Sequence, residues 1–286
     1  SGMSRGLGDV YKRQVFGEVS RSLSGGSAQL HGLLASLHPN LALSILYRDY
    51  DRDFQGNFSS AISENSTTIN EEGLYAGVQF KINNWEISSY FDQFKFPWMK
   101  YQVDKPNTTG IDGFLQLVYH PSKKLDIYGR IRHRNRPYNS LNSDMELNEI
   151  GIADQWNYRI NFNVLITESL RLRSRIEYVT YERTGGQSEN GLLIAQDVIY
   201  KPKESNLSFN ARFALFDTDS YNSRIYSYEN DVLYYFRIPA YYNQGARSYL
   251  TLRYQFKKGI DLWLRYGNWF YSCLLYTSPS PRDIPL

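Results

Sequence analysis

Arginines occupy every second position in two short runs of the chain. The first run carries Arg130, Arg132 and Arg134, and the second carries Arg171, Arg173 and Arg175. Side chains two residues apart on a β-strand share a face and lie about 6.5–7 Å apart, so each run predicts a row of like charges. Such charges repel one another unless they are screened, paired with carboxylates or bound to a ligand. Attraction of anions is the chemistry that this pattern favours.

Large apolar residues alternate with polar ones around these arginines, with Ile131 and Leu172 between members of the two runs. With Leu125, Leu170, Leu207, Leu250 and Leu262 as markers of one strand face, ten arginines fall on the opposite face: Arg130, Arg132, Arg134, Arg159, Arg171, Arg173, Arg175, Arg212, Arg253 and Arg265. Two interpretations remain open. The arginines line an ion-paired wall with Asp126, Glu86, Asp92 and Glu177 as partners, or they form a basic track for phosphate-bearing or carboxylated solutes or a nucleic-acid strand.

The elements that carry these residues are predicted to be β-strands. Six runs alternate apolar and polar residues with period two, so each strand has an apolar and a polar face. A transmembrane β-barrel turns the apolar face to lipid and the charges to a watery lumen. The 25 tyrosines and 5 tryptophans suit membrane–water interfaces. We therefore expect these residues to face outward: Leu125, Ile127, Leu170, Leu172, Phe209, Leu252 and Leu264. We expect these to lie near the rims: Tyr47, Trp85, Tyr119, Trp156, Tyr158, Tyr178 and Tyr200.

Short turns alternate with long polar connections along the chain, which is typical of an all-β, antiparallel, up-and-down transmembrane barrel. About 15 strands are predicted, near 15–21, 28–37, 41–50, 73–82, 85–95, 111–120, 125–134, 154–166, 170–182, 191–200, 207–216, 223–229, 232–239, 247–256 and 261–271. A tight reversal is expected at Glu229-Asn230-Asp231 to separate two of them. Bacterial single-chain barrels have even strand numbers, so the natural barrel is predicted to have sixteen strands or more.

The two ends of the chain look like translated sequencing-adapter read-through, and fold arguments leave them out. This interpretation gives residues 1–14 and 273–286 as artefactual or disordered ends and residues 15–272 as a fragment of one barrel domain. It also removes Cys273, the single cysteine, so the barrel offers no disulfide or thiolate metal site.

Four short runs resemble the C-terminal barrel of a group of Bacteroidota outer-membrane proteins: residues 46–50 (LYRDY), 124–128 (KLDIY), 211–219 (ARFALFDTD) and 238–242 (IPAYY). Full-length members of that group carry a competence-type helix-hairpin-helix domain ahead of the barrel. The resemblance covers residues 15–272 and implies a bacterial outer-membrane location. The helix-hairpin-helix is absent from this sequence, so the resemblance assigns DNA binding to no residue here.

Motifs for enzymatic chemistry are sparse. His31, His38, His120 and His133 lack the spacing of a zinc site, and no G-x-S-x-G run is present. Asp217 and Asp219 could form a carboxylate cluster at a strand end or bind Ca²⁺, but they suit Asx turns better. We therefore expect no catalytic residues, metal or cofactor.

The function predicted from the sequence is that of a non-enzymatic, porin-like outer-membrane barrel, acting as a channel, a translocation pore or a membrane anchor. Its expected partners are the lipid bilayer and lipopolysaccharide, with anionic solutes, or DNA bound by a missing domain, as a further class. Two alternatives stay open. One is an outer-membrane hydrolase with an active site at one rim, and the other is a soluble β-sandwich that binds a ligand.

Overall fold

The computed structural model describes residues 12–56, 60–140, 148–257 and 259–272. They form fifteen strands: β1 (Arg13–Arg21), β2 (Ser27–His38), β3 (Leu41–Tyr50), β4 (Glu71–Ile82), β5 (Trp85–Phe96), β6 (Thr108–Ser122), β7 (Leu125–Asn139), β8 (Ile150–Leu165), β9 (Leu170–Arg183), β10 (Glu189–Tyr200), β11 (Leu207–Thr218), β12 (Ile225–Tyr226), β13 (Ala240–Tyr241), β14 (Gln244–Lys257) and β15 (Ile260–Tyr271). Among these residues no helix is long and apolar enough to cross a membrane.

Thirteen of the strands form one sheet in sequence order, β1 to β11 followed by β14 and β15, and every neighbouring pair is antiparallel. The predicted all-β, up-and-down, antiparallel barrel fold is therefore confirmed. β1 begins at Arg13, within the predicted 1–14 end. Residues 1–11 and 273–286, and with them Cys273, lie outside the described residues.

The two rims of the sheet differ in the length of their connections. At one end, which we call the turn rim, Asn83 has a φ of 48° and Gly259 a φ of 91°, left-handed values that suit tight hairpins. Three register shifts, at residues 36–38, 119–122 and 255–257, lie at the same end. The opposite end, the loop rim, carries the longer connections, such as 51–70 and 219–243. The arrangement matches the short turns and long loops of transmembrane barrels.

The apolar face of the sheet is exposed. Ile160 is 47% exposed and Phe213 53% exposed, and the seven residues predicted to face outward all share this side by strand parity. The second sheet of the described residues is the two-stranded pair β12–β13, which lies on the other side and covers none of it. A soluble sandwich would bury this face, so the exposed apolar band is the lipid-facing wall of a membrane barrel.

Most charges on the outward face stay close to the rims, and the exception Asp154, four residues inside β8, contacts His133 of β7. Glu72, Lys95, Glu182 and Asp217 each stand one residue from a strand end. In the interior of the band, outward Ser174 donates a hydrogen bond to Gln196 of the next strand at 2.5 Å, so two polar side chains satisfy each other. Both features suit a hydrocarbon environment, where an unpaired polar group is expensive.

Aromatic residues mark the turn rim as expected. Trp85, the first residue of β5, stacks on Tyr119 with ring centroids 4.3 Å apart, and Tyr200 is the last residue of β10. Tyr158 and Tyr178, in contrast, stack on each other midway along β8 and β9. Those strands have 16 and 14 residues, more than the roughly 9–11 that cross a bilayer. Tyr158 and Tyr178 therefore lie away from the strand ends, where the rim prediction placed them.

The predicted strands at 223–229 and 232–239 are wrong. Residues 219–243 form one connection between β11 and β14, with the pairs Ile225–Tyr241 and Tyr226–Ala240 and a bridge between Glu229 and Arg237. We call this segment the lumenal hairpin, because its side chains contact the polar face of the sheet. Residues 232–236 are Val-Leu-Tyr-Tyr-Phe, a run without the alternation that a two-faced strand requires.

Candidate anion pathway in the lumen

The inward face of β7, β8 and β9 carries a large excess of positive charge. By strand parity nine arginines point inward: Arg130, Arg132, Arg134, Arg136, Arg159, Arg171, Arg173, Arg175 and Arg183. The same face of these strands has two carboxylates, Asp126 and Glu177. The excess arises because arginine occupies successive inward positions of β7 and β9, the two strands that β8 separates.

We call the inward face of the sheet the wall. Carboxylates on neighbouring strands and on the lumenal hairpin neutralise part of its positive charge. Asp112 of β6 accepts hydrogen bonds from Arg132 and Arg134, and Glu177 accepts two from Arg159, at 2.6 and 2.7 Å. Six of the ten predicted arginines have a carboxylate oxygen within 3.1 Å, namely Arg132, Arg134, Arg159, Arg212, Arg253 and Arg265.

The partners differ from those that the sequence indicated. Of the four carboxylates expected, Glu177 alone pairs with predicted arginines, while Asp126 pairs with His120, Glu86 with Lys81 and Asp92 with Arg48. The carboxylates that serve instead are Asp112, Asp197 and Asp261 from the neighbouring strand, and Glu229 and Asp231 from the lumenal hairpin. Cross-strand register decides these pairs, and register is not visible in one strand's pattern.

Four predicted arginines have no such carboxylate among the described residues: Arg130, Arg171, Arg173 and Arg175. The carboxylate nearest to Arg130 is that of Glu177, with 3.9 Å between Nη2 of the arginine and Oε1 of the glutamate. Arg175 donates to the hydroxyl of Ser227 at 2.7 Å, and its Nε is buried without a hydrogen-bond partner in the described structure. This part of the wall holds the positive charge that is left over.

The lumenal hairpin docks on the wall through an apolar patch and a set of ion pairs. Ile225 and Tyr241 are buried against inward residues of the sheet, Val179, Leu193, Ala195, Ala214 and Phe216. Beyond this patch, Arg212 donates to Ser227 and to the carbonyl of Tyr228, while Asn230 accepts from Arg265 through its carbonyl. The hairpin therefore lies inside the lumen and narrows it.

A cavity of about 170 Å³ lies between the hairpin and the wall. It is lined by Arg130, Arg132, Arg134, Gln155, Asn157, Arg159, Glu177, Arg224 and Tyr226. Arg224 belongs to the hairpin, and its guanidinium donates to the Tyr226 hydroxyl at 2.8 Å and to the Tyr221 carbonyl at 2.6 Å. Arg224 was missed at the sequence level because it lies in a segment that was assigned to a membrane strand.

A second ionic cluster fixes the other side of the lumen. Arg48 of β3 is fully buried and donates to Glu71 at 2.7 Å and to Asp92 at 2.9 and 3.1 Å. Glu71 also accepts hydrogen bonds from Ser63 and from the backbone of Asn65, in the connection between β3 and β4. The cluster therefore ties that loop to three strands.

The candidate rim carboxylates, Asp217 and Asp219, both accept hydrogen bonds from neighbouring residues. Asp219 accepts from the backbone NH of Asn190 at 2.7 Å, and Asp217 accepts from Gln244 at 3.2 Å. The described residues hold no group of three or more His, Cys, Asp or Glu side chains placed to bind a metal ion.

Two histidine–carboxylate pairs bear on the hydrolase alternative. His133 contacts Asp154 at 2.6 Å on the outward face and stacks on Trp156. His120 contacts Asp126 at 2.7 Å near the turn rim. Within the described structure, the hydrogen bonds of both pairs extend to Asn135 or Asn163 and to no serine, threonine or cysteine side chain.

No protein-family model and no curated protein matches the chain. Among solved structures it is similar to OmpT, an outer membrane protein of Vibrio cholerae folded in vitro, with 13% identity, a TM-score of 0.43 and coverage of 89% of this chain and 94% of that one. The trimer form of that protein gives 12% identity and a TM-score of 0.43, covering 90% of this chain and 96% of that one. A variant of it that lacks loop L8 gives 12% identity and a TM-score of 0.39, covering 72% and 91%. At these scores the likeness carries no argument, and the fold assignment rests on strand order and on the two faces of the sheet.

Proposed function

We propose that the chain is the wall of a bacterial outer-membrane channel that passes small anionic solutes and performs no catalysis. The observation that supports this proposal is the imbalance on β7–β9, where nine inward arginines share their face with two carboxylates. Charged rings and walls of this kind select the sign of the permeating ion.

The lumenal hairpin strengthens the effect of the wall. It narrows the lumen beside Arg175 and Arg212, so a passing solute comes within a few ångströms of fixed guanidinium groups. A charge that acts over so short a distance is screened only in part at moderate salt, because the Debye length is about 10 Å at 0.1 M and about 3 Å at 1 M. Anion preference should therefore weaken as the salt concentration rises.

Reversal potentials in planar bilayers test the proposal. Under a KCl gradient the reconstituted chain is expected to prefer chloride to potassium. Replacement of Arg171, Arg173 and Arg175 by glutamine should move the reversal potential towards that of an unselective pore. A matched control removes three exposed charges outside the lumen, with Lys123, Lys124 and Lys203 replaced by glutamine, and should leave most of the preference in place.

Two results would contradict the proposal. Cation preference in the unmodified protein would show that the wall does not control permeation. An equal shift in the arginine and lysine variants would show that the effect is one of total charge and not of the lumenal wall.

A further inference from the structure

We propose that the cavity between the wall and the lumenal hairpin is a binding site for one small, doubly charged oxyanion. The proposal rests on the anion pathway proposed above and names the solute chemistry that the pathway recognises. The site lies where Arg224 of the hairpin faces Arg130, Arg132, Arg134 and Arg159 across a space of about 170 Å³.

The charge of the cavity is unbalanced. Five guanidinium groups line it, and the carboxylates that they contact are Glu177, which also lines it, and Asp112, which leaves a net charge of +3. Glu177 accepts hydrogen bonds from Nε and Nη2 of Arg159 and from the amide of Asn157 at 2.8 Å. Asp112 accepts three hydrogen bonds from Arg132 and Arg134. Two arginines, Arg130 and Arg224, are left for a ligand.

Arg130 and Arg224 are held in place without a close carboxylate. Nε of Arg130 is buried and has no hydrogen-bond partner among the described residues, and its guanidinium lies 6.0 Å from the ring centroid of Phe114. Arg224 is held by Tyr221, with its guanidinium carbon 4.2 Å from the ring centroid, and by the hydroxyl of Tyr226. In the described part of the chain neither guanidinium is neutralised by a close carboxylate, and an oxyanion in the cavity would pair with both.

The size and shape of the site indicate the ligand class. The cavity of about 170 Å³ has room for a phosphate or carboxylate group, and seven of its nine lining residues carry a guanidinium or amide group that can donate to such a ligand. Guanidinium forks match the paired oxygens of phosphate and carboxylate, while a halide offers no second acceptor. A divalent oxyanion, as a free ion or as the head group of a small metabolite, therefore fits best.

Calorimetric titration of the protein in detergent, at low ionic strength, tests the site with inorganic phosphate and with succinate as separate probes. One phosphate per chain is expected. Arg130→Gln and Arg224→Gln should each weaken binding at least about tenfold, as expected for loss of a charge-assisted hydrogen bond. Arg130→Lys keeps the charge but loses the fork, and we expect a smaller loss than with glutamine.

Arg52→Gln is the matched control. Arg52 is also a loop arginine over an aromatic ring, 5.0 Å from Trp98, but it does not line the cavity, so the variant should change phosphate affinity less than twofold. Circular dichroism of each variant checks that the strands are retained. Equal affinities for phosphate and succinate would define a general oxyanion site, and a preference for phosphate would define a phosphoryl site.

Absence of phosphate binding, or equal losses in the Arg130, Arg224 and Arg52 variants, would overturn the site. Different results would contradict the proposed anion channel. If phosphate binds and Arg130→Gln abolishes binding while the bilayer shows cation preference, the site stands and the proposed channel function falls. If chloride preference holds but phosphate does not bind, the pathway stands without this site.

Discussion

Glu229 at the inner end of the lumenal hairpin accepts two hydrogen bonds from Arg247 of β14, each 3.0 Å long, and a third from Arg265 of β15. The carboxylate is fully buried, and the hydroxyl of Tyr241 donates to it at 2.9 Å. One side chain therefore ties the hairpin to the last two strands of the sheet. The geometry makes Glu229 the main anchor that keeps the hairpin inside the lumen.

We expect Glu229→Gln to release the hairpin. The change leaves the guanidinium groups of Arg247 and Arg265 buried without their shared carboxylate, and loss of one partner of a buried pair costs about 3–5 kcal/mol. Hydrogen exchange should show faster exchange of the amides of residues 225–241, and bilayer conductance should rise. Glu168→Gln, which breaks the exposed pair with Lys203 at the turn rim, is the control and should alter neither. Unchanged exchange in the Glu229 variant would remove the anchoring role.

Acidification should release the lumenal hairpin in the same way as Glu229→Gln does. The pKa of Glu229 is below its ordinary value: burial raises it, but hydrogen bonds from Arg247 and Tyr241 and the charges of Arg247 and Arg265 lower it further than burial raises it. A carboxylate with a lowered pKa stabilises the docked state above its ordinary pKa and loses that contribution as the pH falls through the lowered value. Asp231, which pairs with Arg265, is the other carboxylate at this end of the hairpin.

We therefore expect the protection of the hairpin amides, meaning their exchange rate relative to the intrinsic rate at the same pH, to be high near pH 7 and to fall as the pH drops below about 4.5, the ordinary range for glutamate. Because Glu229→Gln removes the titrating group, protection in that variant should change much less over the same pH interval. A similar acid response in both proteins would assign the effect to other groups.

Arg48 should be essential for stability on the other side of the lumen. Arg48→Met leaves Glu71 and Asp92 buried and uncompensated, and we expect it to lower the free energy of unfolding by about 3–5 kcal/mol. The triple variant Arg48→Met, Glu71→Gln, Asp92→Asn removes the charges together and should recover most of the loss. Denaturant unfolding in detergent measures both. If the triple variant were no more stable than the single one, packing and not charge would explain the role of Arg48.

The sequence predicted the fold because a membrane barrel repeats one local rule. Apolar residues alternate with polar ones in β7 and β9, and turn residues such as Asn83 and Gly259 stand between strands, so thirteen strands were predicted within a few residues of their observed ends. Inward placement of the arginines follows from the same parity. These features depend on neighbouring residues along one chain segment and are therefore visible without a structure.

The lumenal hairpin and the ion pairs could not be predicted in that way. Whether residues 219–243 cross the membrane or fold into the lumen depends on Val179, Leu193 and Phe216, inward apolar residues on three different strands that together form its docking patch. Likewise, Asp112 pairs with Arg132 because β6 and β7 are in a particular register. Such contacts join residues far apart in sequence, and the alternation of one strand carries no information about them.

The outward face of the sheet gives the most direct test of the membrane assignment. Ile160 lies near the middle of β8 and Ile152 two residues from its loop-side start, and both are exposed on the apolar face. An arginine at the bilayer midplane costs about 2–4 kcal/mol and one near the interface about 0–1. We therefore expect Ile160→Arg to destabilise the barrel in lipid vesicles by that larger amount and Ile152→Arg by much less. The same pair should differ little in a soluble protein, where both sites would face water. Equal costs at the two depths, measured by denaturant unfolding in vesicles, would contradict the lipid-facing assignment of this surface.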